Sequence, residues 1–268
     1  MEANSSIFSE QIRAGLTTRW LGRTIHCYDA VESTNLIAIE LAQQGEPEGT
    51  VVLADQQFSG RGRGSRSWHS PAGVGIYCSI VLRPKMAPAK AQLITLMTGV
   101  SIVKAIALRT GLSPRVKWPN DILIHDKKVA GILLESRVSG GQIGYSVIGF
   151  GINVNNGSGD LPKDMRGKAS SLLMELKKPV DRSALLIEIF SELERLYHRF
   201  QREDFPVILE LWRQYSSTLG QRVRIWQKDK PTEGIAVDLT EDGGLLVRVE
   251  EGKHIVIHAG DVEYLRIL

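Results

Sequence analysis

A short run of glycine and arginine residues carries the clearest chemistry in the sequence. Residues 60–68 read Gly-Arg-Gly-Arg-Gly-Ser-Arg-Ser-Trp. Glycine lets backbone N–H groups approach an anion closely, and the planar guanidinium of arginine matches the oxygens of carboxylates and phosphates. The run lacks the Gly-Lys-Ser/Thr ending of a P-loop and the Gly-x-Gly-x-x-Gly spacing of a dinucleotide fold. It predicts a phosphate-binding loop, with a nucleic-acid-binding Arg-Gly segment or a solvated loop as alternatives.

A second group of candidate residues surrounds a proline turn. Lys117, Asn120 and Asp121 flank Pro119, and Lys128 follows on a predicted hairpin. Lysines and a carboxylate gathered there could hold phosphates and a magnesium ion, which prefers oxygen ligands. An Asn-Asp pair after proline is also ordinary turn chemistry, and a hairpin lysine can simply be solvated. From the residues alone, both interpretations stay open.

Other polar residues give weaker signals. Asn153 lies on an apolar, glycine-rich strand, where it could be a second oxygen ligand or could satisfy backbone groups at the strand end. The six histidines form no recognisable zinc motif with the two cysteines, and His69 beside Trp68 is interpreted as a loop residue. No Gly-x-Ser-x-Gly elbow is present, and neither Cys27 nor Cys78 lies in a reactive-looking motif. A zinc enzyme and an acyl-enzyme hydrolase are disfavoured, whereas the reactivity of the cysteines stays open.

The basic residues are unevenly distributed, although the formal net charge is only +3. No acidic residue occurs between Gln56 and Asn120, and the remainder of the chain carries a net charge of −7. A segregated positive field attracts anions and stabilises phosphates. The segment predicts a polyanion-binding region, unless acids are depleted by chance over a stretch that includes core helix. Its ten basic residues are Arg61, Arg63, Arg66, Arg83, Lys85, Lys90, Lys104, Arg109, Arg115 and Lys117.

Length and composition allow one large domain, or one large and one small, with a sizeable core. The 268 residues are 43% hydrophobic and 24% charged, which disfavours intrinsic disorder. We expect no membrane span, and the amino-terminal sequence lacks a basic stretch followed by an apolar one. Two cysteines cannot form a disulfide framework. We therefore expect a cytoplasmic protein.

Strand and helix signals are interspersed, which predicts mixed α and β structure. Strands at 24–28 and 49–54 flank a helix at 33–43, where Ser33, Thr34 and Asn35 suit the helix start. After a loop at 59–75, the expected elements are a strand at 76–82, a helix at 89–109, a hairpin of 122–125 and 129–135 joined by 126–128, a strand at 145–154, and helices at 183–200 and 205–215.

The pattern of apolar and turn-forming residues changes beyond residue 219. Five short strands alternate with turns at regular spacing, which predicts a small β-barrel. They are expected at 222–226, 234–239, 245–249, 254–258 and 264–267. We therefore predict a domain of residues 1–217 followed by a barrel domain of residues 218–268.

Taken together, these motifs resemble the biotin protein ligase family. The likeness runs, in family order, through residues 32–35, Gln57 with 60–63 and Trp68, 117–121, 128–133 and 149–153, and it covers the chain from about residue 24 onward. It implies an α+β fold: a mixed β-sheet catalytic domain with helices, related to the class II aminoacyl-tRNA synthetases, followed by an SH3-like barrel.

The resemblance also implies a two-step reaction. Biotin and Mg-ATP give biotinyl-5′-adenylate and pyrophosphate, and a lysine amine of a biotin carboxyl carrier protein, such as that of acetyl-CoA carboxylase, then attacks the adenylate. The implied biotin-binding residues are Ser33, Thr34, Asn35, Gln57, Arg61, Gly62, Arg63, Lys128, Gly131, Leu133 and Gly149. The implied ATP-binding residues are Arg63, Arg66, Trp68, Lys117 and Asn120. The implied magnesium ligands are Asp121 and Asn153. The implied catalytic residues are Lys128, Arg61 and Arg63, which act through their positive charges.

Two departures from the family pattern bear on function. Gly64 and Ser65 stand where many members have Arg-Gly, which removes one charge and adds flexibility, so the affinity for biotin and for the adenylate stays open. Only about 23 residues precede the first family strand, so we expect a form without the amino-terminal DNA-binding domain and no specific DNA binding. The acceptor protein and the oligomeric state, a homodimer included, stay open.

Two rival functions are considered. A lipoate ligase shares the fold and adenylation chemistry, but its Arg-Arg-x-Ser-Gly-Gly-Gly segment is not found in this sequence. A non-catalytic RNA-binding protein could use the Arg-Gly loop, the basic stretch and the barrel. That reading leaves Ser33 to Asn35, Lys128 and Asn153 without a role.

Overall fold

The computed structural model describes residues 6–227 and 230–265. A seven-stranded sheet with helices is followed by a five-stranded antiparallel sheet, which confirms the predicted α+β fold with a small carboxy-terminal barrel. The last helix of the first unit ends at Tyr215 and the first barrel strand begins at Arg222. The exact boundary near residue 217 stays a prediction.

The large sheet has the strand order β1-β2-β3-β7-β6-β5-β4. Its strands are β1 (Ile25–Val31), β2 (Val51–Gln57), β3 (Gly75–Leu82), β4 (Arg115–Lys117), β5 (Asp121–Ile124), β6 (Lys127–Ser139) and β7 (Gln142–Asn153). β1 and β2 are parallel, and the other neighbours are antiparallel. All eight residues of β3 are buried, which places this strand at the centre of the core.

Helices cover the sheet. They are α1 (Ser6–Gly15), α2 (Thr34–Gln43), α3 (Gln92–Thr110), α4 (Leu172–Leu176), α5 (Arg182–Gln201) and α6 (Phe205–Tyr215). Asp181 caps α5 by accepting a hydrogen bond from the backbone N–H of Ala184 at 3.0 Å, and Gly111 ends α3 in the left-handed region. By length and composition, the segment Pro88–Thr110 could cross a membrane, but most of α3 is buried in the protein core. The short helices α1 and α4 were not predicted.

The hairpin between β5 and β6 differs from its prediction. His125 and Asp126 both have positive φ, at 48° and 61°, so the connection is a two-residue turn. A tight turn of this kind matches the right-handed twist of the strands. The expected connection over 126–128 is therefore wrong, and Lys127 and Lys128 belong to β6.

The barrel strands are β8 (Arg222–Gln227), β9 (Lys230–Leu239), β10 (Leu245–Arg248), β11 (His254–Ile257) and β12 (Asp261–Tyr264), in the order β11-β10-β9-β8-β12. The last strand was expected at 264–267 and is instead β12, while residues 266 and 267 lie outside the described residues. The buried Trp118 joins the two units: its indole N–H donates to the Gly243 carbonyl at 3.2 Å, and its backbone N–H donates to Thr218 Oγ1 at 3.0 Å.

Candidate active site

A cavity of about 1080 Å³ opens on the large sheet, beside β12. Its size is at the upper end of the range for small-molecule sites. It collects all of the residues that the sequence singled out for binding or catalysis: Ser33, Thr34, Asn35, Gln57, Arg61, Gly62, Arg63, Arg66, Trp68, Lys117, Asn120, Asp121, Lys128, Gly131, Leu133, Gly149 and Asn153. Their individual roles stay predictions.

Glycine residues of β6 and β7 form the floor of the cavity. A Cβ at Gly151 would collide with the indole nitrogen of Trp68, and a Cβ at Gly149 would collide with the amide oxygen of Asn35. A Cβ at Gly131 would lie 3.1 Å from the Trp68 ring. Glycine is required at positions 149 and 151 because side chains from α2 and the Arg-Gly loop pack directly on the strand backbone, and the space above Gly131 is tight.

One end of the cavity is a buried polar network at the start of α2. The backbone N–H and the hydroxyl of Thr34 donate to Gln57 Oε1 at 2.9 and 3.2 Å. Ser79 Oγ donates to Asn35 Oδ1 at 2.6 Å and lies 2.8 Å from Thr34 Oγ1. Because buried polar groups are costly unless paired, this network holds the side chains in defined orientations. Ser79, which is fully buried, was missed; its one signal is a polar residue within an apolar strand.

The three loop arginines form ion pairs with carboxylates far away in the sequence. Arg61 pairs with Glu135 of β6 at 3.0 Å, and Arg66 pairs with Asp261 of β12 at 2.8 Å. Arg63 also pairs with Asp261. The barrel therefore contributes directly to the site. Both carboxylates were missed by sequence reasoning.

The basic segment 56–120 does not act as one surface. Only Arg61, Arg63, Arg66 and Lys117 of its ten basic residues line the cavity. Others have structural partners: Lys104 pairs with Glu192 at 2.7 Å, and the Arg83 guanidinium donates to backbone carbonyls. Four of the ten basic residues thus form a local cationic wall, and binding of a polyanion there stays a prediction.

A β-bulge directs Lys128 into the cavity. Lys128 pairs with Leu123 while Ala130 pairs with Ile122, so Val129 is the extra residue of the ladder. The side chain of Lys128 consequently lies on the same face as that of Asp121, and Lys128 Nζ is 2.6 Å from Asp121 Oδ1.

Lys128 also meets the aromatic residue of the loop. Its Nζ lies 5.3 Å from the centroid of the Trp68 ring. Its neighbour Lys127 pairs with Ile124, which places it on the opposite face of β6, where it is half-buried. Lys128 is thus a partly desolvated cation, with its side chain 24% exposed, in a site that gathers anion-binding groups.

Lys117 is a second partly desolvated cation. Its Nζ lies 4.7 Å from the ring centroid of Tyr264 in β12, and burial lowers the pKa of Lys117, although the nearby Asp121 carboxylate opposes this. Asn120 braces β6, since its Nδ2 donates to the Ile132 carbonyl at 2.7 Å. Its predicted place beside adenine stays a prediction.

The two predicted magnesium ligands, Asp121 and Asn153, could not by themselves complete the coordination shell of an ion. Among the described residues, no group of three or more His, Cys, Asp or Glu side chains could hold a metal. Asp121 pairs with Gly131, which pairs with Gly151, so Asp121 and Asn153 share a face but lie two strands and two residues apart. Ordinary sheet spacings put their Cα atoms about 12 Å apart. Both can contribute to one ion only if water or phosphate oxygens complete its shell.

Burial makes both cysteines unfavourable sites for reaction. Cys27 and Cys78 are both buried, and burial raises the pKa of the Cys78 thiol well above its usual range. Cys78 pairs with Phe150 and belongs to the apolar core. A buried thiol with a raised pKa is a poor nucleophile.

Comparison with known proteins identifies the class of protein to which this fold and cavity belong. Residues 28–153 match the model of the Biotin/lipoate A/B protein ligase family, and residues 218–265 match the Biotin protein ligase C terminal domain. The Bifunctional ligase/repressor BirA of Bacillus spizizenii is 37% identical over 253 residues, which cover 94% of this chain and 78% of that protein. The Biotin--[acetyl-CoA-carboxylase] ligase of Mycobacterium tuberculosis is 31% identical, covering 87% of this chain and 86% of that protein.

A solved structure agrees. The biotin protein ligase from Aquifex aeolicus in complex with biotin and ATP superposes with a TM-score of 0.76 at 28% identity, over 91% of this chain and all of that one. Fold, cavity and sequence thus define a ligase of the biotin/lipoate class. Within that class, the chain belongs to the biotin protein ligase family.

Proposed function

We propose that the protein activates biotin with ATP as biotinyl-5′-AMP and transfers the biotinyl group to a lysine of a biotin carboxyl carrier protein. The observation that carries this proposal is a single cavity with a buried polar network at one end and a wall of partly desolvated cations beside it. The polar end suits a neutral, hydrogen-bonding head group. The cations suit a carboxylate and phosphates brought close together.

In this proposal the biotin head group lies against Ser33, Thr34, Asn35 and Gln57. The polar atoms of Thr34, Asn35 and Gln57 are held by the hydrogen-bond network that includes Ser79. The glycine floor lets the side chains of Asn35 and Trp68 pack directly on β6 and β7, and the ligand lies against these side chains. Gly62, Gly131, Leu133 and Gly149 complete the biotin subsite.

The first chemical step joins two anions. The biotin carboxylate attacks the α-phosphate, a P–O bond forms, and the bond to pyrophosphate breaks. Lys128 lies between the reacting groups and stabilises the charge that is redistributed, while Arg61 and Arg63 neutralise the carboxylate and the phosphates.

The remaining residues bind the nucleotide. Arg66 and Lys117 hold its phosphates, and Trp68 and Asn120 lie against adenine. Magnesium, when bound through Asp121 and Asn153 with water or phosphate oxygens, supplies charge neutralisation of the phosphates.

The second step is an acyl transfer. The neutral ε-amine of the acceptor lysine attacks the acyl carbon of the adenylate, AMP leaves, and the amine loses a proton. We further propose that this takes place in the cytoplasm and that the acceptor reaches the mouth of the cavity from solvent.

Biotin-dependent exchange of labelled pyrophosphate into ATP tests the first step. We expect exchange with biotin and magnesium and little with lipoate. Robust exchange with lipoate alone would reassign the substrate, and exchange with neither would refute the enzymatic proposal.

A further inference from the structure

Glu135 holds together two residues of the cavity wall. Its Oε2 accepts a hydrogen bond from Arg61 Nη1 at 3.2 Å, and its Oε1 lies 3.0 Å from Arg61 Nη2. The same Oε2 accepts a hydrogen bond from Asn35 Nδ2 at 2.9 Å. Arg61 and Asn35 line the cavity, whereas Glu135 is not among its described lining residues. Glu135 therefore acts on a ligand through these two partners.

The Asn35 amide is fixed from both sides. Ser79 Oγ donates to its oxygen at 2.6 Å, and its nitrogen donates to Glu135. The amide also packs directly on the backbone of Gly149, where a Cβ would collide with Asn35 Oδ1. The Glu135 carboxylate thus sets which edge of the amide faces the strand.

Arg61 needs an external partner to be ordered. It lies between Gly60 and Gly62 on the loop, and its side chain is 41% exposed. A free arginine in such a place samples many rotamers, and ordering it only when a ligand arrives weakens binding. The two-point pair with Glu135 matches the geometry of the guanidinium and orders it beforehand.

We propose that Glu135 is a positioning residue for the carboxylate substrate. It holds the Arg61 guanidinium and the Asn35 amide in their binding positions before the substrate enters. This inference rests on the proposed function, with biotin as the substrate whose carboxylate meets Arg61.

The test is the biotin dependence of pyrophosphate exchange in Glu135→Gln. Glutamine keeps the size of the side chain and an acceptor for Asn35, but it removes the charge that holds Arg61. We expect the KM for biotin to rise about tenfold, or about 1.4 kcal/mol, with kcat changed by less than about threefold. The matched control is Glu233→Gln, which removes a Glu–Arg pair on the barrel and should leave both constants unchanged.

A double substitution separates positioning from folding. If Glu135 acts through Arg61, adding Glu135→Gln to Arg61→Ala should raise the KM no further than about twofold. An unchanged KM in the single variant, a KM below that of the wild type, or additive losses in the double variant would each overturn the inference. Wild-type protein without biotin-dependent exchange would refute the proposed function instead.

Discussion

Removing the charge of Lys128 should slow adenylate formation far more than it weakens ATP binding. A unit charge about 4 Å from a developing charge is worth about 4 kcal/mol at an effective dielectric constant of 20. Because the Lys128 side chain is 24% exposed, water can replace part of this stabilisation. The transition-state stabilisation that is then lost is comparable to the loss of one oxyanion-hole donor. Lys128→Ala should therefore reduce the rate of adenylate formation by roughly 10² or more.

The assay is single-turnover formation of the adenylate at saturating ATP and biotin. Lys127→Ala is the matched control, since Lys127 pairs with Ile124 on the opposite face of β6 and should change the rate by less than about twofold. Lys128→Met, which keeps the apolar stem near Trp68, should lose as much as the alanine variant if charge is the cause. Equal, small effects at Lys127 and Lys128 would show that Lys128 is only a hairpin lysine.

Three further predictions follow from the geometry of the cavity. Gly151→Ala should displace the Trp68 indole and raise the KM for ATP with little effect on biotin; an unchanged KM would separate Trp68 from the nucleotide. Burial lowers the pKa of Lys117, so the KM for ATP should rise with pH earlier than an ordinary lysine would dictate, and Lys117→Arg should flatten that rise; identical pH profiles would contradict this. Asp261→Asn should speed tryptic cleavage of the loop at Arg66, measured by mass spectrometry, and cleavage at the wild-type rate would show that the ion pair does not hold the loop.

Local patterns predicted most of the helices and strands. The α6 range was predicted to the residue, because Pro206 near its start and its apolar spacing are local signals. The bulge at Val129 was not predictable, because one extra residue in a ladder depends on the partner strand. The family resemblance already assigned Lys128 to the site, and the bulge supplies the geometry by which Lys128, and not Lys127, enters the cavity.

The candidate site was predictable where its residues stand close together in sequence. The Arg-Gly loop and the segment 117–121 carry their chemistry in adjacent residues, and both line the cavity. Ser79, Glu135 and Asp261 were not predicted as site residues, because each is an isolated polar residue whose partner lies far along the chain. Arg66 and Asp261, for example, are 195 positions apart. Such pairings are known only from the three-dimensional structure.

The most direct test of the central claim is the complete reaction. The protein would be incubated with biotin, ATP, magnesium and a biotin carboxyl carrier domain, and the carrier followed by intact-mass spectrometry. We expect the carrier to gain one biotinyl group and AMP to appear in equal amount, while a carrier with its acceptor lysine replaced by arginine stays unmodified. A wild-type carrier that gains no biotinyl group, or that is modified only when lipoate replaces biotin, would contradict the account.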